Sequence, residues 1–592
     1  MRKVLLYICS VFILGGMTSC EDFLDKREDV GLTEDDIFRD YYSLRGFLDQ
    51  SFNQLENVMV MDNWENGRAF VGLFADEMAT TDNSSAVFTL HSGNRLSNAK
   101  SNKTFEIGNA GSTAISRSYK ALRINNRIIN DIDKAPLTPE QKNEILGQAY
   151  FYRSWFYFQV IKRYGGMPII DKVFEGGDDD IPRMTYHESH DWMMEDIQKA
   201  IYMLPDSWDD PNYGRPTKIA AMALKEWAQL FDASPLMQND LNSTENKGYD
   251  TERAKSAAKS AYEVIRYMDG SKAAPYPYGL ASKEEYTNVF YFKYPPVHQP
   301  EYIWVKRQFP NAANQNQKRT IRTFWQYEDL AFGSGPDGNS MCCPSLNIVN
   351  MFDKKGADGI YYPIDDPRSG YALDYDHKPF EDRDPRFYNN ILLPGTTWGH
   401  YADGRTYYIT TYKGGAAYQH MLTQKDCNKR MFTGFMCKKF MWPECNQYLE
   451  KNNPNCWWDY RFLTIYIRAS QIYLDYAEAL FEGCGSATAT IEGCPISAAE
   501  AINILRRRIG LTDLPSDIVA DPDKFRAAYR RERAVELMFE NHRWWDIRRW
   551  MILEETFKDT YPIKGALFTP RESNHGSITD KSTLTYDYEQ ID

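Results

Sequence analysis

The feature that most constrains the fold is a series of long apolar-periodic segments, each opened by a helix-capping signal. Thr33 precedes three acidic residues, which suit the positive end of a helix dipole. Residues 138–141 form a capping box with proline at the first helical position, and residues 497–500 form a second capping box. Asp521 stands before Pro522 in the same role. These signals predict helices at fixed points along most of the chain.

The predicted helices are long and lie close together in sequence, which favours pairs of antiparallel neighbours. Stacked pairs of this kind are typical of tetratricopeptide-like arrays. Small residues permit close helix approach: Ala220, Ala221, Ala223, Ala254, Ala257, Ala258 and Ala261. The spacing predicts helices over 33–60, 112–134, 138–165, 188–204, 216–230, 250–270, 465–480, 497–510 and 521–550. The fold class expected is mainly α, a paired-helix scaffold.

Two stretches lack a sustained helical period. Residues 62–111 are polar and rich in Gly, Ser and Asn, while 271–455 are dense in Gly, Pro, Asn and Tyr. Within the longer stretch, 301–309 and 405–412 have the composition of short strands. We therefore expect an N-terminal helical part over 33–270 with loops at 62–111. A large irregular insert over 271–455 and a C-terminal helical part over 456–592 follow.

The first residues have the form of an export signal rather than of a fold. Arg2 and Lys3 precede an apolar run that is too short to span a bilayer, and small residues then lead to Cys20. A cysteine directly after small residues is typical of lipoprotein signals, so we expect a signal peptide over 1–19, lipid on Cys20 and a tether over 20–32. The alternatives are an ordinary signal peptide with an incidental cysteine and an uncleaved membrane anchor.

Charge and cysteine spacing exclude several classes of function. The net charge of −13 disfavours nucleic acid as a partner. The cysteines beyond Cys20 show no C-x-x-C spacing, which disfavours structural zinc. Cys484 and Cys494 either form a disulfide across a short loop or remain free thiols. The other cysteines are Cys342, Cys343, Cys427, Cys437, Cys445 and Cys456, whose pairing the sequence leaves open.

The sequence shows no persuasive catalytic or cofactor-binding motif, so we expect neither an enzyme nor a cofactor. His187 and His190 stand one residue short of the metalloprotease spacing, and we expect a solvated helix start there rather than a metal site. The acidic pairs at 365–366 and 374–376 lack ligand spacing and are interpreted as loop carboxylates. The alternating charges of 530–549 predict ion pairs across a packed helical face.

Several blocks, in order along nearly the whole chain, resemble the SusD/RagB family of outer-membrane nutrient-binding lipoproteins of Bacteroidetes type. They begin with Cys20 followed by Phe23-Leu24-Asp25. The penultimate block runs from Ile467 to Ala479, and the C-terminal block runs from Arg531 to Trp550. Between the N-terminal block and the penultimate block lie four more, at 149–158, 163–168, 214–218 and 382–387. These blocks belong to the scaffold, so they indicate the fold and leave the ligand open.

The resemblance implies a tetratricopeptide-like scaffold, a loop-rich ligand face and a partner, a SusC-like TonB-dependent transporter. It also implies a lipid anchor in the outer membrane, and the acidic residues after Cys20 resemble surface-export signals. The ligand in this family is most often a glycan and sometimes a peptide. We therefore expect a surface glycan-binding lipoprotein. The alternatives are a RagB-like peptide binder, a surface-anchored glycan hydrolase and a purely structural lid on the transporter.

Aromatic and polar residues of the two irregular stretches are the candidate glycan contacts. An aromatic ring offers a flat apolar surface to a sugar ring, and nearby polar groups bond to its hydroxyls. For each aromatic taken alone, core packing is the competing interpretation, and we assign Trp544, Trp545 and Trp550 to packing. The candidates are Trp64, Asp82, Asn83, Asn94, Arg322, Trp325, Tyr327, Trp398 and Tyr401.

Overall fold

Helices dominate the described part of the chain, and the strands are short and paired in twos. The computed structural model describes residues 33–55, 71–79, 114–174, 180–239, 245–273, 276–291, 298–307, 343–400, 406–416, 418, 433–440, 463–560 and 563–591. Among the described helices, none is long and apolar enough to cross a membrane.

Successive helices pack side by side into one array. The second helix packs on the third, and each helix then packs on the next as far as the seventh. The array continues from the seventh helix to the tenth and eleventh, although almost 200 residues separate the seventh and tenth in sequence. The helices are α1 (Glu34–Ile37), α2 (Tyr41–Gln54), α3 (Ala114–Asp131), α4 (Pro139–Tyr164), α5 (Tyr186–Met203), α6 (Lys218–Ala233), α7 (Thr251–Gly270), α8 (Leu346–Val349), α9 (Pro385–Asn390), α10 (Ala469–Cys484), α11 (Ala498–Ile509), α12 (Ser516–Ala520), α13 (Pro522–Glu536), α14 (Arg543–Arg549) and α15 (Leu553–Thr560).

Local capping explains where the long helices begin and end. Thr138 accepts a hydrogen bond from the backbone N–H of Gln141, and the Gln141 side chain accepts one from the N–H of Thr138 at 3.0 Å. Helix α4 ends at Gly165, whose φ of 80° is strained for other residues. The predicted small residues of α6 and α7 are buried where these helices meet, which confirms the close approach expected there.

Two predicted helices are broken. The helix expected over 33–60 divides because Asp40 accepts from the N–H of Ser43 at 2.8 Å and thereby starts α2 afresh. The helix expected over 521–550 divides between α13 and α14, where Phe539 and Asn541 have φ values of 64° and 66°. The N–H of Phe539 donates to a side-chain oxygen of Glu77, so a contact from a distant segment stabilises this turn.

The strands form antiparallel pairs, and one pair joins the insert to the helical array. The helix expected over 465–480 was wrong at its start, because residues 463–468 form a strand whose side chains are all buried. This strand pairs with Tyr302–Arg307 and leads directly into α10. The strands are β1 (Met78–Ala79), β2 (Tyr302–Arg307), β3 (Cys343–Pro344), β4 (Lys354–Lys355), β5 (Tyr361–Tyr362), β6 (Ile391–Leu392), β7 (Thr397–His400), β8 (Thr406–Tyr408), β9 (Met436–Cys437), β10 (Leu463–Arg468), β11 (Gly565–Pro570) and β12 (Tyr586–Ile591).

A buried ionic network connects β10, α13 and the segment before β2. Arg468 is 1% exposed, and it donates to Glu301 at 2.8 Å and to Glu536 at 2.9 Å. Its Nε also donates to Glu540 at 2.7 Å, and Arg386 donates to Glu536 at 3.0 Å. Burial alone would raise the pKa of Glu536, but the surrounding guanidinium groups hold it well below its usual value. The ion pairs predicted for the 530–549 stretch are thus present, but many join distant elements.

The cysteines inside the described ranges are free thiols. Cys343 and Cys437 lie buried in β3 and β9, and Cys484 and Cys494 flank the loop between α10 and α11. Of the two alternatives for Cys484 and Cys494, the structure therefore shows the unpaired one. The remaining cysteines, including Cys20, lie outside the described residues.

Candidate functional site

The predicted ligand and anchor residues fall almost entirely outside the described part of the chain. Trp398 lies in β7, whose backbone pairs with β8, but the structure does not describe its side chain. These residues therefore stay predictions. Those outside the described ranges are Cys20, Trp64, Asp82, Asn83, Asn94, Arg322, Trp325, Tyr327 and Tyr401.

Among the described residues, a cavity of about 170 Å³ lies where the α5–α6 connection meets the segments on either side of β2's start. Its walls come from residues 207–217, 276–278 and 298–305. Aromatic rings dominate these walls, so we name this cavity the aromatic pocket. It is a concave, largely apolar surface with a few polar groups, which is the usual form of a small-molecule site.

The α5–α6 connection holds one wall of the aromatic pocket in place. Trp208 donates from its indole N–H to the carbonyl of Pro216 at 2.8 Å. Gly214 has a φ of 96°, which lets the chain turn there, and its carbonyl accepts from the indole of Trp304 at 3.2 Å. Thr217 then caps α6. The wall is therefore built by hydrogen bonds at both ends of a tight connection.

Two aromatic side chains stack at the mouth of the pocket. The ring of Tyr276 lies 3.6 Å from that of His298, centroid to centroid, with 20° between the planes. Tyr213 meets His298 edge-on at 4.8 Å, and Nε2 of His298 lies 3.3 Å from Oδ1 of Asp210. Tyr276 remains 45% exposed. The ring of Tyr276 is thus held in place by His298 and remains partly open to solvent.

The floor of the pocket belongs to the rigid core. Trp304 is 2% exposed and stacks on Tyr466 of β10 with 4.6 Å between ring centroids. Trp155 of α4 meets the same indole edge-on at 4.6 Å. Because close-packed aromatic rings move little, the floor keeps its shape whether or not a ligand is present.

The electrostatics of the pocket favour neutral groups. Arg215 is the one lining residue among those described that carries a permanent charge, and its guanidinium pairs with Asp49 at 2.7 Å. Burial raises the pKa of Tyr278, so its hydroxyl stays protonated and able to donate. The pocket therefore offers hydrogen-bonding groups and ring faces rather than an unpaired charge.

The His187/His190 motif differs from the solvated helix start that we expected. His190 is 4% exposed, and its Nδ1 lies 3.0 Å from Asp191 and 3.4 Å from Asp232. Nδ1 of His187 lies 2.7 Å from Asp232, because this end of α5 packs against the end of α6. Three of these side chains are close enough to share an ion. However, Arg253 of α7 already pairs with Asp232, so the cluster carries its own cation.

Sequence reasoning missed the pocket residues. Tyr276 and His298 lie in the insert that we expected to carry the ligand face, but they were not among the candidates. Trp208 and Tyr213 lie in a helix connection that showed no functional motif. The sequence Tyr276-Pro277-Tyr278 could have drawn attention to this region, because two aromatic residues stand close together on either side of a proline, whose φ is fixed.

Sequence and structure comparisons agree on the relatives of this chain. A model of the SusD family matches residues 300–587, and a model described as starch-binding, associating with outer membrane, matches residues 22–226. Comparison with curated protein sequences found no match.

Solved structures share the fold over nearly the whole length. A SusD-like protein from Bacteroides fragilis NCTC 9343 is 22% identical, with a TM-score of 0.65, over 95% of this chain and 93% of that one. A SusD-like carbohydrate-binding protein from the same organism is 20% identical, with a TM-score of 0.62, over 93% and 94%. A laminarin-binding SusD-like protein is 18% identical, with a TM-score of 0.53, over 88% and 94%.

Proposed function

Because the chain belongs to the SusD/RagB family, we propose that it is a lipid-anchored surface protein that binds oligo- or polysaccharides and passes them to a SusC-like TonB-dependent transporter. The observation that carries the binding proposal is the half-exposed ring of Tyr276, stacked on His298 at the mouth of the aromatic pocket. We propose binding rather than catalysis, with no cofactor.

The chemistry of sugars suits this arrangement. One face of a pyranose ring presents C–H groups, which pack on an aromatic ring, while its hydroxyls point outward to hydrogen-bonding partners. Tyr276 supplies the ring face. Gln299, Ser207 and Tyr278 supply amide and hydroxyl groups in the same walls. No charge on the ligand is needed.

Two solved neighbours support the same class of ligand. One neighbour is described as carbohydrate-binding and another as laminarin-binding. At 20% and 18% identity these likenesses show a shared fold. A carbohydrate ligand is therefore proposed for this chain. The descriptions of the two neighbours and the aromatic geometry of the pocket both support that proposal.

The anchor and the second ligand face complete the proposal. Lipid on Cys20 would hold the protein at the outer membrane, where more than one acyl chain is needed for stable attachment. We propose that the predicted aromatic and polar residues of 62–111 and 271–455 extend the glycan surface beyond the aromatic pocket. They are Trp64, Asp82, Asn83, Asn94, Arg322, Trp325, Tyr327, Trp398 and Tyr401.

Calorimetric titration of the full-length protein in detergent against polysaccharides and peptides tests the proposal. We expect one or more glycans to bind, and Tyr276→Ala to weaken that binding roughly tenfold, which corresponds to about 1.4 kcal/mol. Tyr42→Ala is the matched control, because Tyr42 is also exposed but does not line the pocket.

Other outcomes would select another function. Binding of peptides with silence toward every glycan would favour a RagB-like peptide binder. Shortening of a bound glycan during incubation would favour a surface-anchored hydrolase, as chromatography of the products would show. Equal affinities of the wild type and Tyr276→Ala for the glycan that binds would remove the aromatic pocket from the proposal.

A further inference from the structure

We infer that the aromatic pocket takes a single neutral sugar ring and discriminates against uronic acids and sulfated sugars. This inference rests on the proposed glycan-binding function and names the ligand class of the same site. It draws on the size of the cavity, the closure of its floor, and the sign of the charges around it.

The size of the pocket limits it to one ring. Its volume of about 170 Å³ is below the roughly 300–1,000 Å³ of pockets that enclose drug-sized ligands. Trp304 closes the floor and is locked between Trp155 and Tyr466, so a second ring has no space below the first. A glycan chain therefore presents one unit to this pocket, at its end or on a branch.

The mouth of the pocket orients that ring. Tyr276 is stacked on His298, so one face of the tyrosine is covered by the imidazole, while 45% of the residue stays exposed. Tyr213 supports the imidazole from its edge. Because the platform is already held in place, binding needs little ordering of side chains.

The charges near the pocket are unfavourable for an anion. In sequence, Asp206, Asp209 and Asp210 stand next to or between the lining residues Ser207, Trp208 and Tyr213, and Oδ1 of Asp210 lies 3.3 Å from Nε2 of His298. The cation of the lining, Arg215, is held by Asp49. A carboxylate or sulfate on the sugar would lose its hydration and would be repelled by these carboxylates. Arg215, the cation that could pair with it, is already paired with Asp49.

Neutral hydroxyls meet suitable partners instead. The Tyr278 hydroxyl stays protonated, and Ser207, Thr217 and Gln299 add side chains that both donate and accept hydrogen bonds. Hydroxyl groups likewise donate and accept. A neutral sugar can therefore exchange its water contacts for protein contacts without leaving a charge unpaired.

Matched pairs of monosaccharides test the inference. Full-length protein in detergent is titrated at pH 8 with glucose and glucuronate, and with galactose and galacturonate, with binding followed by saturation-transfer NMR and competition. We expect at least one neutral sugar to bind, its uronate to bind at least tenfold more weakly, and Tyr276→Ala to weaken the neutral sugar. Asp210→Asn removes one carboxylate charge, so at low salt it should reduce the ratio of the neutral-sugar affinity to the uronate affinity.

Each other result has a separate meaning. Equal affinities for a sugar and its uronate would overturn the charge discrimination, while glycan binding would still stand. If no monosaccharide binds, yet Tyr276→Ala weakens polysaccharide binding, the site takes more than one ring and the single-ring inference is wrong. If Tyr276→Ala changes neither monosaccharide nor polysaccharide binding, the pocket is not a glycan site, and the inference fails with it.

Discussion

Replacement of Glu77 by glutamine should change how the stability of the protein depends on pH. Glu77 is 1% exposed, and one carboxylate oxygen accepts from the N–H of Phe539 at 3.0 Å. Burial, together with the charge of neighbouring Asp76, raises its pKa from 4.5 to about 8. The folded protein therefore keeps this carboxyl protonated at neutral pH, whereas the unfolded chain releases the proton.

The sign and size of the effect follow from that difference. Because the pKa is higher in the folded state, the stability that this group contributes is complete below pH 4.5 and is lost as the pH rises toward 8. The loss is about 1.4 kcal/mol per pH unit, and about 5 kcal/mol over the whole interval. Glutamine resembles the protonated acid and does not titrate, so Glu77→Gln should remove this loss.

Urea unfolding at pH 5, 6, 7 and 8 measures the effect. Near pH 5 the wild type and Glu77→Gln should be similar in stability, and by pH 8 the variant should be ahead by about 4 kcal/mol. Burial also raises the pKa of Glu226, but this group is present in both proteins and cancels in the difference.

An exposed carboxylate provides the control for this experiment. Glu555→Gln makes the same chemical change on the surface of α15, where the side chain meets water in both states, and should leave the pH profile unchanged. If the wild type and Glu77→Gln have parallel profiles from pH 5 to 8, Glu77 is not protonated in the folded protein and the reasoning is wrong.

Four further substitutions test the packing, the buried ion pairs and a helix cap through the free energy of unfolding. Gly166→Ala should destabilise by about 1–3 kcal/mol, since the new Cβ would lie 2.1 Å from the carbonyl oxygen of Met184. Gly46→Ala, in open space on α2, should stabilise by roughly 0.5–1 kcal/mol; equal effects of the two would contradict the geometry. Arg468→Met should destabilise by about 3–5 kcal/mol, because it removes one of the cations that neutralise the buried carboxylates of Glu301, Glu536 and Glu540, and an unchanged free energy of unfolding would refute that. Thr138→Ala should remove a cap worth about 1 kcal/mol, and no loss would argue against it.

Some helix boundaries were predictable because a cap acts within a few residues, although the cap that Asp40 provides for α2 was missed. Thr138 and Gln141 satisfy each other's backbone groups, and Gly165 ends the same helix through its own φ. Such contacts depend on neighbours in sequence, so the sequence displays them directly. The start of β10 was misjudged, because Ile465 fits a helical period and only its pairing with Val305 of β2 selects the strand.

The break in the C-terminal helix shows the same limit. Neither Gly nor Pro stands within residues 537–542 to mark a helix end, and Phe539 adopts a positive φ there where its N–H meets Glu77. That partner lies more than 450 residues away in sequence. A local pattern cannot report a contact of this kind.

By itself, the sequence determined the helical scaffold, because capping and apolar periodicity act over one or two turns of chain. Its ordered blocks also indicated the family, and it showed no familiar catalytic motif. The tertiary structure alone decided where a ligand-sized cavity lies. Tyr276, His298 and Tyr213 come from separate segments, and no sequence motif links the three. They line one cavity because β2 packs against β10 and α4, and this packing brings the three segments to one place.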